Sequence, residues 1–250
     1  MLDRDGDSKF YTYQRLKHSD SIRLLELLPG NTQDALRISL SHTRKSNNLV
    51  YEALSYTWGD ATLVTQVYDV SSDSIIKITE NLGAAMRDLR HVTETRTIWI
   101  DAICIDQNNP SERGHQVALM GDIFRSAKQV VVWLGPCGDG TTSELDVVHA
   151  LHEIERKAQD SYSNLFREED GLTPLGLELG HCLEERALYD FVSRSWFERV
   201  WTVQEFVLAK AIKLCVGRFD IPLETFYAAV SFLSFVFDIH APADLAQAIC

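Results

Sequence analysis

Apolar residues come in short alternating runs at the start of the chain and switch to helical spacing further on. Residues 22–28 and 35–40 read as extended stretches divided by Pro29-Gly30-Asn31, a turn-forming triplet. A polar loop over 41–48 leads into the strand-like Tyr51-Glu52-Ala53-Leu54-Ser55-Tyr56, which runs on to Trp58-Gly59-Asp60. Runs 66–70 and 74–78 flank Ser71-Ser72-Asp73 and predict a hairpin. Thr79 is placed to cap a helix over 80–90, where Leu82, Ala85, Met86 and Leu89 share one face. The run Ile98-Trp99-Ile100-Asp101-Ala102-Ile103-Cys104-Ile105 is apolar on both faces and rich in β-branched residues, which predicts a central strand buried on both sides. Asn109-Pro110 opens a second helix, with Pro at its first position and Glu112 near the positive end of the dipole. Val117, Met120, Phe124 and Ala127 form its expected buried stripe, and a further buried strand over 130–134 stops at Gly135-Pro136.

Strand, helix, strand, helix, strand is the order of an α/β fold with a mainly parallel sheet. Beyond it, residues 143–154 read as a helix and 159–180 as a polar, acidic surface insertion. Helices are expected over 183–192 and 197–210, a strand over 212–216, and a very apolar helix from Leu223 onward. That last helix needs more cover than 250 residues supply, so the expectation is that a longer polypeptide continues it.

Charge and cysteine usage narrow the class. The 24 basic and 36 acidic residues leave a net charge of −12, and no Lys/Arg cluster exceeds Arg44-Lys45. This disfavours nucleic-acid or anionic-membrane binding, which needs concentrated positive charge. The cysteines, Cys104, Cys137, Cys182, Cys215 and Cys250, are odd in number and form no CxxC pair, as expected of free thiols in a reducing compartment rather than a disulfide framework or zinc site. The polar, acidic N-terminus is unlike a targeting peptide, and the apolar run 226–237 is too short to cross a bilayer, so a cytoplasmic protein is expected.

Three segments, taken in order, resemble the signature blocks of the fungal heterokaryon-incompatibility (HET) domain. The first is Tyr51-Glu52-Ala53-Leu54-Ser55-Tyr56-Thr57-Trp58-Gly59-Asp60. The second runs from Ile98 through Asp101, Asp106-Gln107, Glu112-Arg113 and Gln116-Val117 to Val132-Trp133-Leu134-Gly135. The third is Arg199-Val200-Trp201-Thr202-Val203-Gln204-Glu205. HET domains are in turn distantly similar to Toll/interleukin-receptor (TIR) domains. That resemblance implies a flavodoxin-like parallel sheet flanked by helices, here with additional β-hairpins and a helical insertion. The domain layout it implies is an N-terminal hairpin extension over 1–50, a HET (TIR-like) domain over 51–216 with an insertion at about 141–193, and the start of a helical region over 217–250. The insertion departs from the TIR pattern.

The resemblance also implies a chemistry. In TIR domains that hydrolyse NAD, a helix-borne Glu lies beside the ribose that carries nicotinamide. Glu205 matches that residue, with Trp201 one turn before it on the same face. A carboxylate there stabilises the positive charge that develops on the sugar as the N-glycosidic bond breaks. The alternative is a structural Glu205, paired with Arg199 or capping a strand. Trp58, Gly59, Asp60, Asp101 and Trp201 are the accompanying candidates for substrate binding: Trp58 as a stacking surface, Gly59 as a close backbone approach, Asp101 at the ligand-facing edge of a parallel sheet, and Trp201 on the face it shares with Glu205. Each also has a plain structural role open to it, Asp101 through Gln107 or Arg113. Glu112 and Arg113 suit a helix start and a salt bridge. Cys104 with His115 or His181 lacks anything to orient a nucleophilic pair, and His149, His152 and Glu153 lack a third metal ligand. Neither a Walker A motif nor GxGxxG occurs, so no cofactor or metal is expected, NAD entering only as substrate.

The resulting expectation is an effector of self/non-self recognition that triggers programmed cell death after self-association or clustering by an upstream partner. Its rival is a non-catalytic oligomerisation or adaptor module. The two part on Glu205: catalysis asks that it face an open crevice with Asp101 nearby, whereas assembly tolerates a buried, ion-paired Glu205.

Overall fold

A computed structural model describes residues 9–45, 49–136 and 193–227, with His152, Arg156 and Phe191 as isolated positions. The helices expected over 143–154 and 183–192 and the insertion at 159–180 therefore lie outside the described residues almost entirely.

The first strands are β1 (Ser21–Leu27) and β2 (Leu36–Arg44), an antiparallel pair whose second member runs beyond Leu40 into the segment expected as loop. The polar residues there alternate with the strand pleat, so the ladder continues to Arg44, opposite Ser21. Then come β3 (Glu52–Tyr56), the hairpin β4 (Leu63–Asp69) and β5 (Ser74–Thr79), and helix α1 (Glu80–Leu89). The Thr79 hydroxyl accepts from the Leu82 amide, the cap its position predicts.

The apolar run at 98–105 is not one strand. β6 (Arg96–Trp99) ends early, and Asp101–Cys104 forms a single helical turn, α2. Asp101 starts that turn rather than closing the strand, its Oδ1 accepting the Ala102 amide at 2.8 Å. A short all-apolar stretch has no periodicity to separate strand from helix. Helix α3 (Pro110–Ser126) begins as expected, with Asn109 capping the Glu112 amide. Its buried side holds the expected Phe124 and Ala127, with Met120 partly buried, but Gln116 and Ile123 are inside as well and Val117 is exposed. Gln116 Nε2 donates to the Ser21 carbonyl at 3.0 Å, while its Oε1 is buried with no partner among the described residues. Strand β7 (Gln129–Trp133) follows. After a 3-10 turn at Ser195–Glu198 comes helix α4 (Val200–Val207), then β8 (Ile212–Val216), which turns back into β9 (Phe219–Ile221).

All nine described strands join one sheet in the order β5-β4-β2-β1-β6-β3-β7-β8-β9. The sheet is mixed rather than mainly parallel. Only β6, β3, β7 and β8 form a continuous parallel block, and antiparallel hairpins extend it on both sides. Within that block the strands stand second, first, third, fourth in chain order, so the direction of winding reverses between β3 and β7.

Helices cover both faces of the block. On one side Arg96 Nη1 donates to the Leu89 carbonyl and Trp133 Nε1 to Asp88, which seats α1. On the other, the Tyr51 hydroxyl donates to the Ile123 carbonyl at 2.7 Å and Trp99 meets Phe124 edge-on with centroids 5.6 Å apart, which seats α3. Among the described residues no helix is long and apolar enough to cross a membrane.

Two charged side chains among the described residues lie wholly inside, Arg23 and Asp69. Arg23 is 0% exposed, and all of its N–H-bearing nitrogens are engaged. Nε donates to His42 Nε2 at 3.2 Å, Nη1 to the Cys104 carbonyl at 3.0 Å, Nη2 to the Gln14 carbonyl at 2.7 Å, and both Nη to the Glu112 carboxylate. Its guanidinium also sits 4.9 Å from the Tyr13 ring centre. Glu112 thus makes the salt bridge expected of it, as a bidentate ion pair with Arg23 that joins β1 to the start of α3.

Candidate functional site

The winding reverses between β3 and β7, and it is at such a point, in the crevice outside the carboxyl ends of the strands, that open α/β sheets bind ligands. The last residues of β3 supply its floor. Ser55 is buried on the face that carries α4, and its hydroxyl donates to Glu205 Oε2. The same oxygen accepts from Trp196 Nε1 at 2.9 Å. An indole N–H can only donate, so Ser55 must accept from Trp196, and its single proton goes to Glu205. The relay has one direction, and it commits Oε2 of Glu205 as an acceptor.

The other carboxylate oxygen, Oε1, lies 3.7 Å from Arg199 Nη2. Arg199 immediately precedes α4, where the helix dipole disfavours a cation. Two contacts offset this: Arg199 Nη1 donates to the Tyr56 carbonyl, and the Glu205 carboxylate, six residues on, lies beside its Nη2. Glu205 itself is 4% exposed. Burial pushes its carboxyl above the ordinary glutamate range, partly opposed by Ser55 and Arg199, and the nearby Asp101 charge pushes the same way as burial.

Asp101 is half-buried at the mouth of the crevice. Its Oδ2 accepts from Trp58 Nε1 at 2.9 Å, and desolvation raises its pKa against that bond. The expected Gln107 contact exists, but to the Asp101 backbone carbonyl, at 2.9 Å. Arg113 reaches the Gln107 carbonyl instead of the carboxylate. Trp58 is 37% exposed, so its ring is accessible while its N–H is fixed.

The remaining candidates are spread around this centre. Gly59 has φ +69°, and a Cβ there would come within 3.1 Å of Asn81 Cβ, so the turn requires glycine. Gly59→Ala is expected to cost about 1–2 kcal/mol, the price of a left-handed non-glycine residue, read as a lower urea midpoint with an unchanged slope. Asp60 is exposed and its carboxylate accepts from both the backbone and the hydroxyl of Thr62, an Asx-type turn that lowers its pKa. Trp201 stands one turn before Glu205 but is 53% exposed, outside the relay. Cys104 is buried and its thiol is pushed up to about 12, leaving it protonated and inert.

Of the residues the sequence offers, Trp58 and Asp101 are hydrogen-bonded to each other, and Glu205 lies near enough to Asp101 to feel its charge. Ser55, inside the first quoted segment, and Trp196, three residues before the third, carry no role in the sequence reading. A serine among buried apolar strand positions and a tryptophan whose N–H must find a partner are the signals that point to such a pair.

Residues 51–205, spanning β3 through Glu205, match the family described as heterokaryon incompatibility protein (HET). The chain belongs to that family. It is also 33% identical over 242 residues, 83% of its length, to heterokaryon incompatibility protein 6, OR allele, of Neurospora crassa. It spans 35% of that relative. No solved structure matches.

Proposed function

We propose that this chain is the effector domain of a fungal incompatibility response, acting in the cytosol to trigger cell death by hydrolysing the N-glycosidic bond of NAD or a related nucleotide. The observation that carries the reading is the convergence of Glu205, Asp101 and Arg199 with an accessible, hydrogen-bonded Trp58 at the point where the sheet's winding reverses. The second-first-third-fourth strand order is that of flavodoxin-like sheets and supports the likeness to TIR domains. Trp58 stacks on a base, with Gly59 and Asp60 shaping the turn beside it. Water adds to the anomeric carbon as nicotinamide departs with the bonding pair, the proton that the water gives up passes to solvent, and the Glu205 and Asp101 carboxylates stabilise the sugar cation that forms between. Nicotinamide leaves as a neutral base, so no strong acid is needed. An upstream partner domain or self-association supplies the trigger.

The second reading, a non-catalytic assembly module, is favoured by the burial of Glu205 against Arg199 and by the exposed indole of Trp201. Nicotinamide release from NAD by the clustered protein separates the two. Release by the parent and a loss of at least about 100-fold in Glu205→Gln, the order of one transition-state electrostatic contact, supports hydrolysis. No release from the parent, with other nucleotides also tried, leaves assembly.

A further inference from the structure

We infer that the Tyr56 hydroxyl is a ligand-contacting hydrogen-bond donor of this crevice, directed at an uncharged oxygen acceptor such as an amide carbonyl or a sugar hydroxyl. The inference rests on the site being a ligand site, though not on any reaction there.

Tyr56 ends β3 and is 2% exposed, yet no described residue offers its hydroxyl a partner. A buried hydroxyl left unpaired costs about 1–3 kcal/mol, so such a group calls for a reason. The charged groups that act on this phenol are Asp101, Arg199 and Glu205, the same three that surround the crevice. Burial raises its pKa well above the ordinary tyrosine value, so it remains a neutral donor at any working pH. The two carboxylates are already supplied: Asp101 by Trp58 and Ala102, Glu205 by Ser55 and Arg199. Tyr56 is thus a spare donor beside spoken-for acceptors. Two carboxylates against one guanidinium disfavour a phosphate oxygen at this point, which selects for a neutral acceptor.

The backbone of the same residue strengthens the assignment. Arg199 donates to the Tyr56 carbonyl, so the main chain at Tyr56 is tied to the start of α4 while its side chain stays uncommitted. A ligand that satisfied the phenol would bridge β3 to the groups that Arg199 and Glu205 contribute.

The test is Tyr56→Phe, compared with the parent in two measurements. Thermal unfolding without ligand is expected to give an equal or higher Tm for the variant, because an unpaired hydroxyl is removed. Calorimetric titration with NAD and with ADP-ribose is expected to give about 10-fold weaker binding of at least one of them, the worth of one hydrogen bond. Nicotinamide release is followed in parallel. Weakened binding by the variant alongside a parent that binds without hydrolysing keeps this inference and removes the hydrolysis. Hydrolysis by the parent with unaltered binding by the variant does the reverse. A lower Tm for Tyr56→Phe means that the hydroxyl is satisfied within the free protein and overturns the inference. Absence of binding by the parent overturns it as well.

Discussion

Glu205→Ala is expected to destabilise the domain by about 2–4 kcal/mol, while Glu205→Gln costs at most about 1 kcal/mol. Alanine strips the buried Ser55 hydroxyl of its acceptor, opens a cavity under the crevice and leaves Arg199 without its carboxylate. Glutamine keeps an oxygen for Ser55 and fills the same space. The two variants also differ from the parent in their response to pH. The folded-state pKa of Glu205 is raised, so the folded protein holds its proton more tightly than the unfolded chain does. Stability from this group is then greatest below the ordinary glutamate value of about 4.3 and falls as pH rises from there through the folded value. Glutamine cannot ionise, so Glu205→Gln should gain on the parent across that interval. Urea titrations at several pH values check this, and a parent whose stability rises through that window relative to Glu205→Gln would sink the account. The practical consequence is that glutamine, not alanine, is the variant for testing chemistry at this position.

A comparable loss is expected far from the crevice. Arg23→Met should cost about 3–5 kcal/mol, because it leaves Glu112 as an unpaired buried charge and two carbonyls and a histidine nitrogen without a donor. Adding Glu112→Leu should restore a good part of that loss, since both charges are then gone. Acid acts on the same cluster. His42 must present a lone pair at Nε2 to Arg23, and burial together with the guanidinium lowers its pKa. The unfolded chain therefore takes up that proton first. The stability contribution is complete above about 6.5 and is lost as pH falls through the depressed folded value. Glu112, also depressed, adds to the loss lower down, as pH drops below about 4.3. Denaturant midpoints measured from neutral to acidic pH should fall steeply in the parent and less in the double variant. Equal slopes would detach these residues from the acid response.

The parts of this architecture that could be read from the sequence are those with local signals. The capped helices α1 and α3 declared themselves through Thr79, Asn109 and Pro110, and β3 and β7 through short apolar runs ended by Gly59 and Gly135. Where the signal was ambiguous the reading failed. The stretch from Ile98 to Ile105 is apolar throughout, and only tertiary packing decides that its second half coils into a turn that sets Asp101 against Trp58. The mixed character of the sheet was equally hidden, since pairing of β1 with β6 joins residues distant along the chain. The same holds for the site. Glu205 and Asp101 were suggested by resemblance, but Ser55 meets Glu205 across 150 positions and Trp196 meets Ser55 across 141. No local pattern encodes such an encounter. Arg23 lay outside every motif, and its burial follows from partners on four separate segments.

Arg194 Nη1 donates to the carbonyls of Leu134 and Pro136, at 2.9 and 2.8 Å, and Gly217 donates to the Gly135 carbonyl between them. Chain that leaves the sheet after β7 and chain that returns before α4 are thereby clamped to one spot. The two ends of the intervening stretch are already held together, and closure entropy grows only slowly with length. That makes it a natural place for evolution to lengthen, shorten or rewrite the protein. Changes of length there are expected to leave β3 and α4 with their present geometry.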